Sequence, residues 1–426
     1  MSLTRFDADG WRRSPLSRRR LDAGGTDEQV ASVRAICRRV AEEGDAALLH
    51  YSAEFDTWAP PDAGALRVPA GRAARAHAEL PAAEREALEL AAERIRTFHR
   101  AQVFADVAGP EGLTLRTRPV RRVGLYAPGG RAAYPSTVLM AAIPARLAGV
   151  SRIALATPPN ERGELPQAVL AAAHVAGVDE IYRMGGAQAI AALAYGTESI
   201  PRVDIIAGPG NIYVTLAKRE VFGAVGVDGI AGPTEILVVA DGTADAVEVA
   251  ADLVSQMEHD PMAWAVLVTD SPGLADAVAE AFDDMVPRLE RSAVIAAAHC
   301  CVVLTSSLAE AVDLANDFAP EHLELVGEGA EALLDRVENA GAIFVGRDTP
   351  VSLGDYVIGP NHTLPTAQAA RFSSPLGVYT FLKRSSVAHL GAEEFQALQG
   401  AARTLAGVEG LGAHAHALEV RCERRR

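Results

Sequence analysis

Hydrophobic residues follow a helical rhythm in the first 120 residues of the chain. Over residues 27–51 and 81–103, apolar residues recur at spacings of three and four with charged residues between them. This spacing places the apolar side chains along one face of a helix. No alternating pattern typical of a strand occurs before Leu113, so we expect residues 1–120 to form a helical N-terminal region.

From Val123 onward, short β-branched runs alternate with alanine-rich helical segments. The first series predicts strands over residues 123–126, 153–156, 180–182 and 203–207. The second series predicts strands over residues 235–240, 264–269, 300–305, 322–326 and 342–346. Its helices are predicted over residues 244–258, 272–286, 307–317 and 329–338. Strands that alternate with helices are typical of parallel sheets covered by helices on both faces.

This order of elements predicts an α/β fold with two consecutive Rossmann-like open-sheet units. We expect the helical N-terminal region to be followed by α/β domains over residues 121–233 and 234–382. The irregular, glycine- and proline-rich run after Gly346 belongs to the second of these domains. A C-terminal helical tail over residues 383–426 completes the chain.

Composition and charge restrict the class of protein. The chain of 426 residues is 49% hydrophobic and 22% charged, as globular proteins are. Its net charge of −15 argues against binding to nucleic acid or to an anionic membrane surface. No apolar stretch approaches the ~20 residues of a membrane-spanning helix, and the first 25 residues lack the apolar core of a secretory signal. Four cysteines are too few for a disulfide framework, and we expect a cytoplasmic protein with reduced thiols.

Three glycine-rich loops follow strands of the first α/β unit. Their sequences are APGG (127–130), MGGAQ (184–188) and AGPGN (207–211). Glycine lets the backbone approach a phosphate or a ring closely, and ligands of open α/β sheets bind at the carboxyl ends of the strands. None of the loops matches the dinucleotide fingerprint GxGxxG, and each alone could be a plain tight turn. Three of them in one unit favour a cofactor cleft.

Residues suited to metal binding or proton transfer occur in the second unit. In SQMEHDP, Gln256 and His259 are one turn apart at the end of a predicted helix, where they could bind a metal or merely complete the helix end. In APEHLEL, Glu321 and His322 are adjacent where a strand begins. A histidine beside a carboxylate suits proton transfer near neutral pH, although a surface Glu beside a half-buried His has the same sequence.

Two further segments carry polar candidates. Asp355 and His362 lie in LGDYVIGPNHTLPT, a long irregular run, and such loops within compact domains are usually functional. The tail segment VEGLGAHAHAL contributes Glu409, His414 and His416.

Taken together, these motifs resemble the histidinol dehydrogenases. GPGN, GPTE, SQMEHDP, APEHLEL, GDYVIGPNHTLPT and EGLGAH occur in the order and spacing of that family, and with the APGG loop they extend from about Val123 to the C-terminus. The N-terminal region fits in length but carries no motif. The resemblance implies an enzyme that oxidises L-histidinol to L-histidine in two NAD-dependent steps, the last reaction of histidine biosynthesis, with one zinc ion per active site.

The resemblance also implies a role for each candidate. Glu321 and His322 would be the acid–base pair: His322 would take the alcohol proton as hydride leaves to NAD, and Glu321 would activate the water that attacks the aldehyde-level intermediate. Zinc would hold the imidazole and amino groups of the substrate. The zinc ligands would be Gln256, His259, Asp355 and His414. The NAD contacts would be Tyr126, Gln188 and Asn211. The substrate contacts would be Thr234, Gln256, His259, His322, Asp355, His362, Glu409 and His414.

The family is homodimeric, and the resemblance implies that the C-terminal tail of one subunit completes the active site of the other.

Two departures from the family pattern bear on the site. Many members have Ser where this chain has Thr234, which keeps the hydroxyl but adds a methyl group that crowds the pocket. The tail has a second histidine, His416, and the five-residue spacing from Glu409 selects His414 as the ligand.

Other activities are open to the same residues. A related dehydrogenase on this scaffold could oxidise another small alcohol, such as a sulfonated propanediol, because scaffold and cofactor motifs constrain the chemistry more than the alcohol. Glu409, His362 and the EHLE segment favour histidinol. A zinc hydrolase that activates water with Glu321 would leave the three glycine-rich loops without a role. A non-enzymatic binding protein would not need this convergence of His, Asp and Glu.

Overall fold

The computed structural model describes residues 3–18, 25–56, 58–110, 112–129 and 133–424. The chain divides into two compact units. The larger unit comprises residues 1–103 and 120–381, and the smaller comprises residues 104–119 and 382–426.

The strands and helices of the described residues are numbered in chain order. The strands are β1 (Thr4–Asp7), β2 (Val107–Ala108), β3 (Leu113–Pro119), β4 (Arg122–Tyr126), β5 (Arg152–Thr157), β6 (Glu180–Arg183), β7 (Ile205–Ala207), β8 (Gly226–Val227), β9 (Glu235–Ala240), β10 (Trp264–Thr269), β11 (His299–Leu304), β12 (His322–Val326), β13 (Ala342–Val345) and β14 (Leu382–Ala388). The helices are α1 (Ala8–Arg13), α2 (Asp27–Glu43), α3 (Asp45–Phe55), α4 (Arg72–Ala78), α5 (Ala82–Arg100), α6 (Pro135–Leu147), α7 (Gln167–Val175), α8 (Gly186–Tyr195), α9 (Ile212–Val221), α10 (Ala246–Met257), α11 (Pro272–Met285), α12 (Ser292–Ala297), α13 (Leu308–Phe318), α14 (Glu328–Glu331), α15 (Val351–Tyr356), α16 (Ala392–Val408) and α17 (Gly412–Glu423).

The larger unit contains two parallel sheets, as the sequence pattern predicts. The first has the strand order β6-β5-β4-β7-β8, and the second has the order β1-β11-β10-β9-β12-β13. All six residues of β9 are buried, because helices cover both faces of the sheet. Successive side chains of β9 alternate between the two faces: Ile236 and Val238 belong to one hydrophobic cluster, and Leu237 and Val239 belong to another.

The N-terminal region over residues 1–120 is largely helical, as predicted, but it also contains three strands that the pattern did not predict, β1, β2 and β3. β1 pairs in parallel with β11 at the edge of the second sheet. Because most of its residues are exposed, β1 lacks the apolar alternation by which a strand is recognised in a sequence. The helical pattern over residues 27–51 corresponds to two helices, α2 and α3, which are separated at Gly44 with a φ of 58°.

Two other elements differ from the predictions in the second α/β unit. Of the helix predicted over residues 329–338, only α14 and a 3₁₀ turn at Leu334–Arg336 are formed. The run after Gly346, predicted to be irregular, contains the short helix α15. Its first N–H group, on Val351, is bonded to the buried side chain of Glu324 at 2.9 Å, so a contact distant in sequence starts this helix.

The smaller unit contains an antiparallel sheet with the order β14-β3-β2 and the helix pair α16 and α17. The tail therefore begins with a strand, which the sequence pattern did not predict. Ala406 is the one buried residue of α16, and α17 has none. Within the described part of the chain, every helix is too short or too polar to span a bilayer.

Candidate active site

The strand order reverses at the carboxyl edge of the first sheet. From β4 the chain proceeds to β5 and β6 on one side, and β7 pairs with β4 on the other. Ligands of open α/β sheets bind at such a reversal of strand order. Tyr126 ends β4 and Asn211 follows β7, so two of the predicted NAD contacts flank the reversal. Gly130 of the APGG loop lies outside the described residues.

The AGPGN loop passes directly over the end of β4. Gly208 has a φ of 116°, and a Cβ atom there would lie 2.1 Å from the carbonyl oxygen of Tyr126. A residue with a side chain is therefore excluded at this position both by backbone strain and by the contact. The Gly208 N–H donates to Oδ2 of Asp228 at 2.7 Å, and Nζ of Lys218 donates to the Gly208 carbonyl at 3.1 Å.

Asn211 caps helix α9. Its side-chain oxygen accepts from the N–H groups of Tyr213 and Val214 at 3.1 and 3.2 Å. An N-cap of this kind orders the first turn of the helix, where N–H groups and the helix dipole favour an anion. Since the side-chain oxygen is occupied by the cap, the amide NH₂ group is the part of Asn211 that can reach a ligand.

The MGGAQ loop is held by a carboxylate from the N-terminal region. Oδ2 of Asp56 accepts from the Gly185 N–H at 3.1 Å and from Nε2 of Gln188 at 3.3 Å. The Gly186 N–H donates to the Tyr126 hydroxyl at 3.1 Å, so this loop is linked to the end of β4. Burial raises the pKa of Asp56 to about 6. Sequence reasoning missed Asp56 because no motif surrounds it and its partners lie about 130 residues away.

In the second α/β unit, Glu321 is the centre of a buried hydrogen-bond network. Its Oε2 accepts from the Thr234 hydroxyl at 2.6 Å and from the Glu235 N–H at 2.9 Å. Nε2 of Gln256 donates in turn to the Thr234 hydroxyl. Burial raises the pKa of the Glu321 carboxyl, and the nearby His322 opposes that rise. A carboxylate in such a position can accept a proton from water more readily than an exposed one.

His322 lies beside this carboxylate with one ring nitrogen bonded and the other available. Its Nδ1 is 2.9 Å from the backbone carbonyl of Glu235 and 3.6 Å from Oε2 of Glu321. Because a carbonyl oxygen can only accept, Nδ1 carries the hydrogen, and Nε2 of the neutral ring holds the lone pair. Nε2 is buried, has no hydrogen-bond partner among the described residues, and lies 3.9 Å from Oδ1 of Asp355.

His362 and Asp355 belong to the same site. Nδ1 of His362 donates to the backbone carbonyl of Asp355 at 2.8 Å, which leaves Nε2 of His362 as the acceptor. Burial lowers the pKa of His362, the Asp355 carboxylate opposes this, and the charges of His322 and His259 add to the lowering. His259 lies two residues beyond the end of α10 and is exposed, whereas Gln256 within the helix is buried.

The larger unit therefore brings together most of the predicted catalytic, metal and substrate residues, namely Thr234, Gln256, His259, Glu321, His322, Asp355 and His362. Within the described ranges, no group of three or more His, Cys, Asp or Glu side chains is arranged to hold a metal ion. Gln256 is a further possible ligand, because its Oε1 is buried without a hydrogen-bond partner. An orphaned amide oxygen beside a carboxylate and histidines fits a zinc site that is completed by other ligands.

Glu409 and His414 lie in the smaller unit. Glu409 ends α16 and His414 lies in the first turn of α17, and both side chains are exposed. His416 is also exposed, with Nδ1 at 3.6 Å from Oε2 of Glu419.

Comparison with known proteins gives consistent matches over nearly the whole chain. A family model described as histidinol dehydrogenase matches residues 19–422. A histidinol dehydrogenase from Thermosynechococcus vestitus is 48% identical over 412 residues, which cover 95% of each chain. One from Synechococcus sp. is 50% identical over 399 residues and 92% of each chain. The crystal structure of histidinol dehydrogenase from Elizabethkingia anophelis matches with a TM-score of 0.92 at 34% identity, covering 99% of this chain and 98% of that one.

Proposed function

The chain belongs to the histidinol dehydrogenase family, an oxidoreductase family of histidine biosynthesis, and we propose that it oxidises L-histidinol to L-histidine in two NAD-linked steps at a zinc site. The observation that carries this proposal is the arrangement of Glu321 and His322. Two groups suited to proton transfer lie 3.6 Å apart, and the free Nε2 of the histidine faces the carboxylate of Asp355.

His322 is the base of the first step in this proposal. Its Nδ1–H is held by the Glu235 carbonyl, so the ring is oriented and Nε2 takes the proton of the substrate alcohol. Glu321 then accepts a proton from the water that attacks the aldehyde-level carbon. The Thr234 hydroxyl and the Glu235 N–H hold the carboxylate in place for that step.

Zinc would be held by Gln256, His259 and Asp355 together with His414 of the tail. The unpartnered Oε1 of Gln256 supports this ligand set. When bound, zinc would supply the positive charge that holds the imidazole and amino groups of the substrate. His362 and Glu409 are the further substrate contacts of the proposal, with Thr234 shaping the pocket.

NAD would bind at the carboxyl edge of the first sheet, against Tyr126, Gln188 and Asn211. When bound, it would supply the hydride acceptor for each oxidation step. The position of Tyr126 and Asn211 at the reversal of strand order supports this assignment. We accordingly assign residues 121–233 as the NAD-binding domain and residues 234–382 as the zinc and substrate domain.

A homodimer with shared active sites is part of the proposal. Leu405 and Val408 of α16 are 61% and 80% exposed, and Leu411 just beyond them is 42% exposed. Apolar side chains that one chain leaves in water are suited to burial against a second copy. The tail over residues 383–426 would then contribute His414 and Glu409 to the partner's site.

We also propose that the enzyme works in the cytoplasm. Cys37 is buried in the core, and burial raises the pKa of its thiol to about 12, so it is protonated and inert. A buried reduced thiol suits a reducing compartment.

The test is NADH formation from L-histidinol, with and without a chelator. We expect two NADH per histidinol, loss of activity on chelation and recovery with zinc. Formation of NADH from a sulfonated propanediol instead would favour the related dehydrogenase. Absence of NADH with either alcohol would overturn the proposal.

Two variants of the tail test the metal assignment. His414→Ala should lower the zinc content of the purified protein, whereas His416→Ala, two residues away and equally exposed, should leave it unchanged. Equal zinc loss in both variants would contradict the choice of His414.

A further inference from the structure

Lys218 is a buried charge beneath the AGPGN loop. The chain has only two lysines, Lys218 and Lys383, among 40 Lys and Arg residues. The Lys218 side chain is 4% exposed and forms an ion pair with Asp228, whose side chain is also 4% exposed. No sequence motif marks either residue as functional.

The bonds of this ion pair converge on one loop residue. Nζ of Lys218 donates to the Gly208 carbonyl at 3.1 Å and to Oδ1 of Asp228. Oδ2 of Asp228 accepts from the Gly208 N–H at 2.7 Å, and its Oδ1 accepts from the Gly229 N–H at 2.9 Å. Both polar backbone groups of Gly208 are therefore bonded to side chains of the pair.

A buried ion pair is a poor means of stabilising a fold. Removing two charges from water costs several kcal/mol per ion, and apolar residues of similar volume often give equal or greater stability. The Lys218–Asp228 pair instead constrains the backbone of Gly208. This residue crosses the end of β4 with a φ of 116° and without room for a Cβ atom. A backbone held in that conformation needs partners at fixed positions for its N–H and C=O groups.

We propose that Lys218 and Asp228 are positioning residues of the NAD site, which hold Gly208 so that Asn211 and the first turn of α9 present a fixed surface to the cofactor. The inference rests on the proposed function, since it concerns the cleft assigned to NAD. Lys218 lies on α9 itself and Asp228 directly after β8, so the pair joins the helix, the loop and the sheet edge. An ammonium group is compact and has three donors, whereas the planar, branched guanidinium of arginine would need more room in this buried position.

The test measures NAD affinity and zinc content of four variants alongside the wild type. In Lys218→Met, Asp228 is left buried without its cation, and we expect the NAD dissociation constant to rise roughly tenfold or more. Asp228→Asn should weaken NAD binding by a similar factor, because the lysine then loses its counter-ion. Zinc content should be unchanged in both, since neither residue contacts the second α/β unit's site.

The double variant and a matched control separate positioning from general destabilisation. Lys218→Met with Asp228→Asn removes both charges, and the asparagine oxygen can still accept from Gly208. We therefore expect it to bind NAD more tightly than either single variant, a coupling that a double-mutant cycle measures. The control is Glu220→Gln on the same helix, where Glu220 forms an exposed ion pair with Arg34 at 3.3 Å. It should bind NAD like the wild type.

The outcomes distinguish this inference from the proposed function. If the wild type binds NAD but Lys218→Met and Asp228→Asn bind it equally well, the positioning role is wrong. The same holds if the unfolding temperature falls in both variants while NAD affinity does not change. If Lys218→Met does not fold, Asp228→Asn and the double variant decide the matter. If the wild type itself does not bind NAD, the proposed function fails first.

Discussion

His322 can act as a base only if the nitrogen that faces the substrate carries a lone pair. One backbone carbonyl, that of Glu235, decides this by accepting the hydrogen of Nδ1 at 2.9 Å. The adjacent Glu321 is held by the hydroxyl of Thr234 and the N–H of Glu235. The roles of two neighbouring residues are thus set by partners more than 80 positions away in sequence.

Replacing the base should separate catalysis from metal binding. In His322→Ala, we expect turnover to fall by roughly 10²- to 10⁴-fold, the range for loss of a general base, because no other neutral base lies at that position. Zinc content and the unfolding temperature should remain near those of the wild type. Metal analysis and steady-state NADH assays check this. If zinc is lost together with activity, His322 is a metal ligand instead.

The glycine-rich loops show how whole elements position the proposed cofactor cleft. The reversal of strand order between β4 and β7 creates the cleft, and the loop after β7 lies against the end of β4. The same loop begins α9, so its conformation also decides where the helix N-terminus points.

Gly208→Ala should weaken NAD binding, because a Cβ atom would lie 2.1 Å from the Tyr126 carbonyl oxygen and the loop must move. Gly223→Ala is the matched control: its φ of 101° imposes similar backbone strain, but no atom lies within 4 Å of its Cβ position. Calorimetric titration with NAD should show a loss of affinity in the first variant alone. Equal affinity in both variants would mean that the loop does not contact the cofactor.

Strand β12 and helices α10 and α15 are joined by a pair of carboxyl groups. The Glu324 side chain on β12 accepts from the Val351 N–H of α15, and the Asp252 carboxyl of α10 acts on it electrostatically. Burial, together with the charge of Asp252, raises the pKa of Glu324 to about 8. The folded protein therefore binds this proton more tightly than the unfolded chain does. The stabilising contribution is present at low pH and is lost as the pH rises through about 8.

Glu324→Gln should remove that dependence, because its amide keeps the acceptor for Val351 and does not titrate. We expect the free energy of unfolding of the wild type to fall between pH 7 and pH 9, relative to the variant, by about 1 kcal/mol or more. Urea unfolding at both pH values measures the difference. Parallel pH profiles for the two proteins would contradict the assignment.

At the scale of the whole molecule, the helices of the tail bury almost none of their residues. Helix α17 has no buried residue, and the Arg403–Glu419 ion pair at 2.6 Å links it to α16. Such a helix pair gains little stability from packing within its own chain.

Mixed dimers test whether the tail acts across subunits. If the body of one chain and the tail of the other form each site, a dimer of His322→Ala and His414→Ala subunits has one intact site. Random mixing of the two inactive variants should then restore about a quarter of the wild-type activity. About half of the dimers are mixed, and each mixed dimer has one intact site of its two, so about a quarter of all sites are intact. Reconstitution from denaturant followed by NADH assay measures this. No recovery would mean that each site is built within one chain.

Local sequence patterns predicted most of the strands and helices and supplied the candidate residues of the site. The continuous apolar run of β9 and the glycine-rich loops are local signals of this kind, so most strands of both sheets and the candidate residues could be predicted from the sequence. The edge strand β1 and helix α15 could not, because pairing with β11 and the bond from Val351 to Glu324 form them. Only the folded chain fixes the tautomer of His322 and the hydrogen-bond partners of Asp56 and Gly208. Each depends on hydrogen bonds between groups that only folding brings together, and such contacts leave no periodic signal in the sequence.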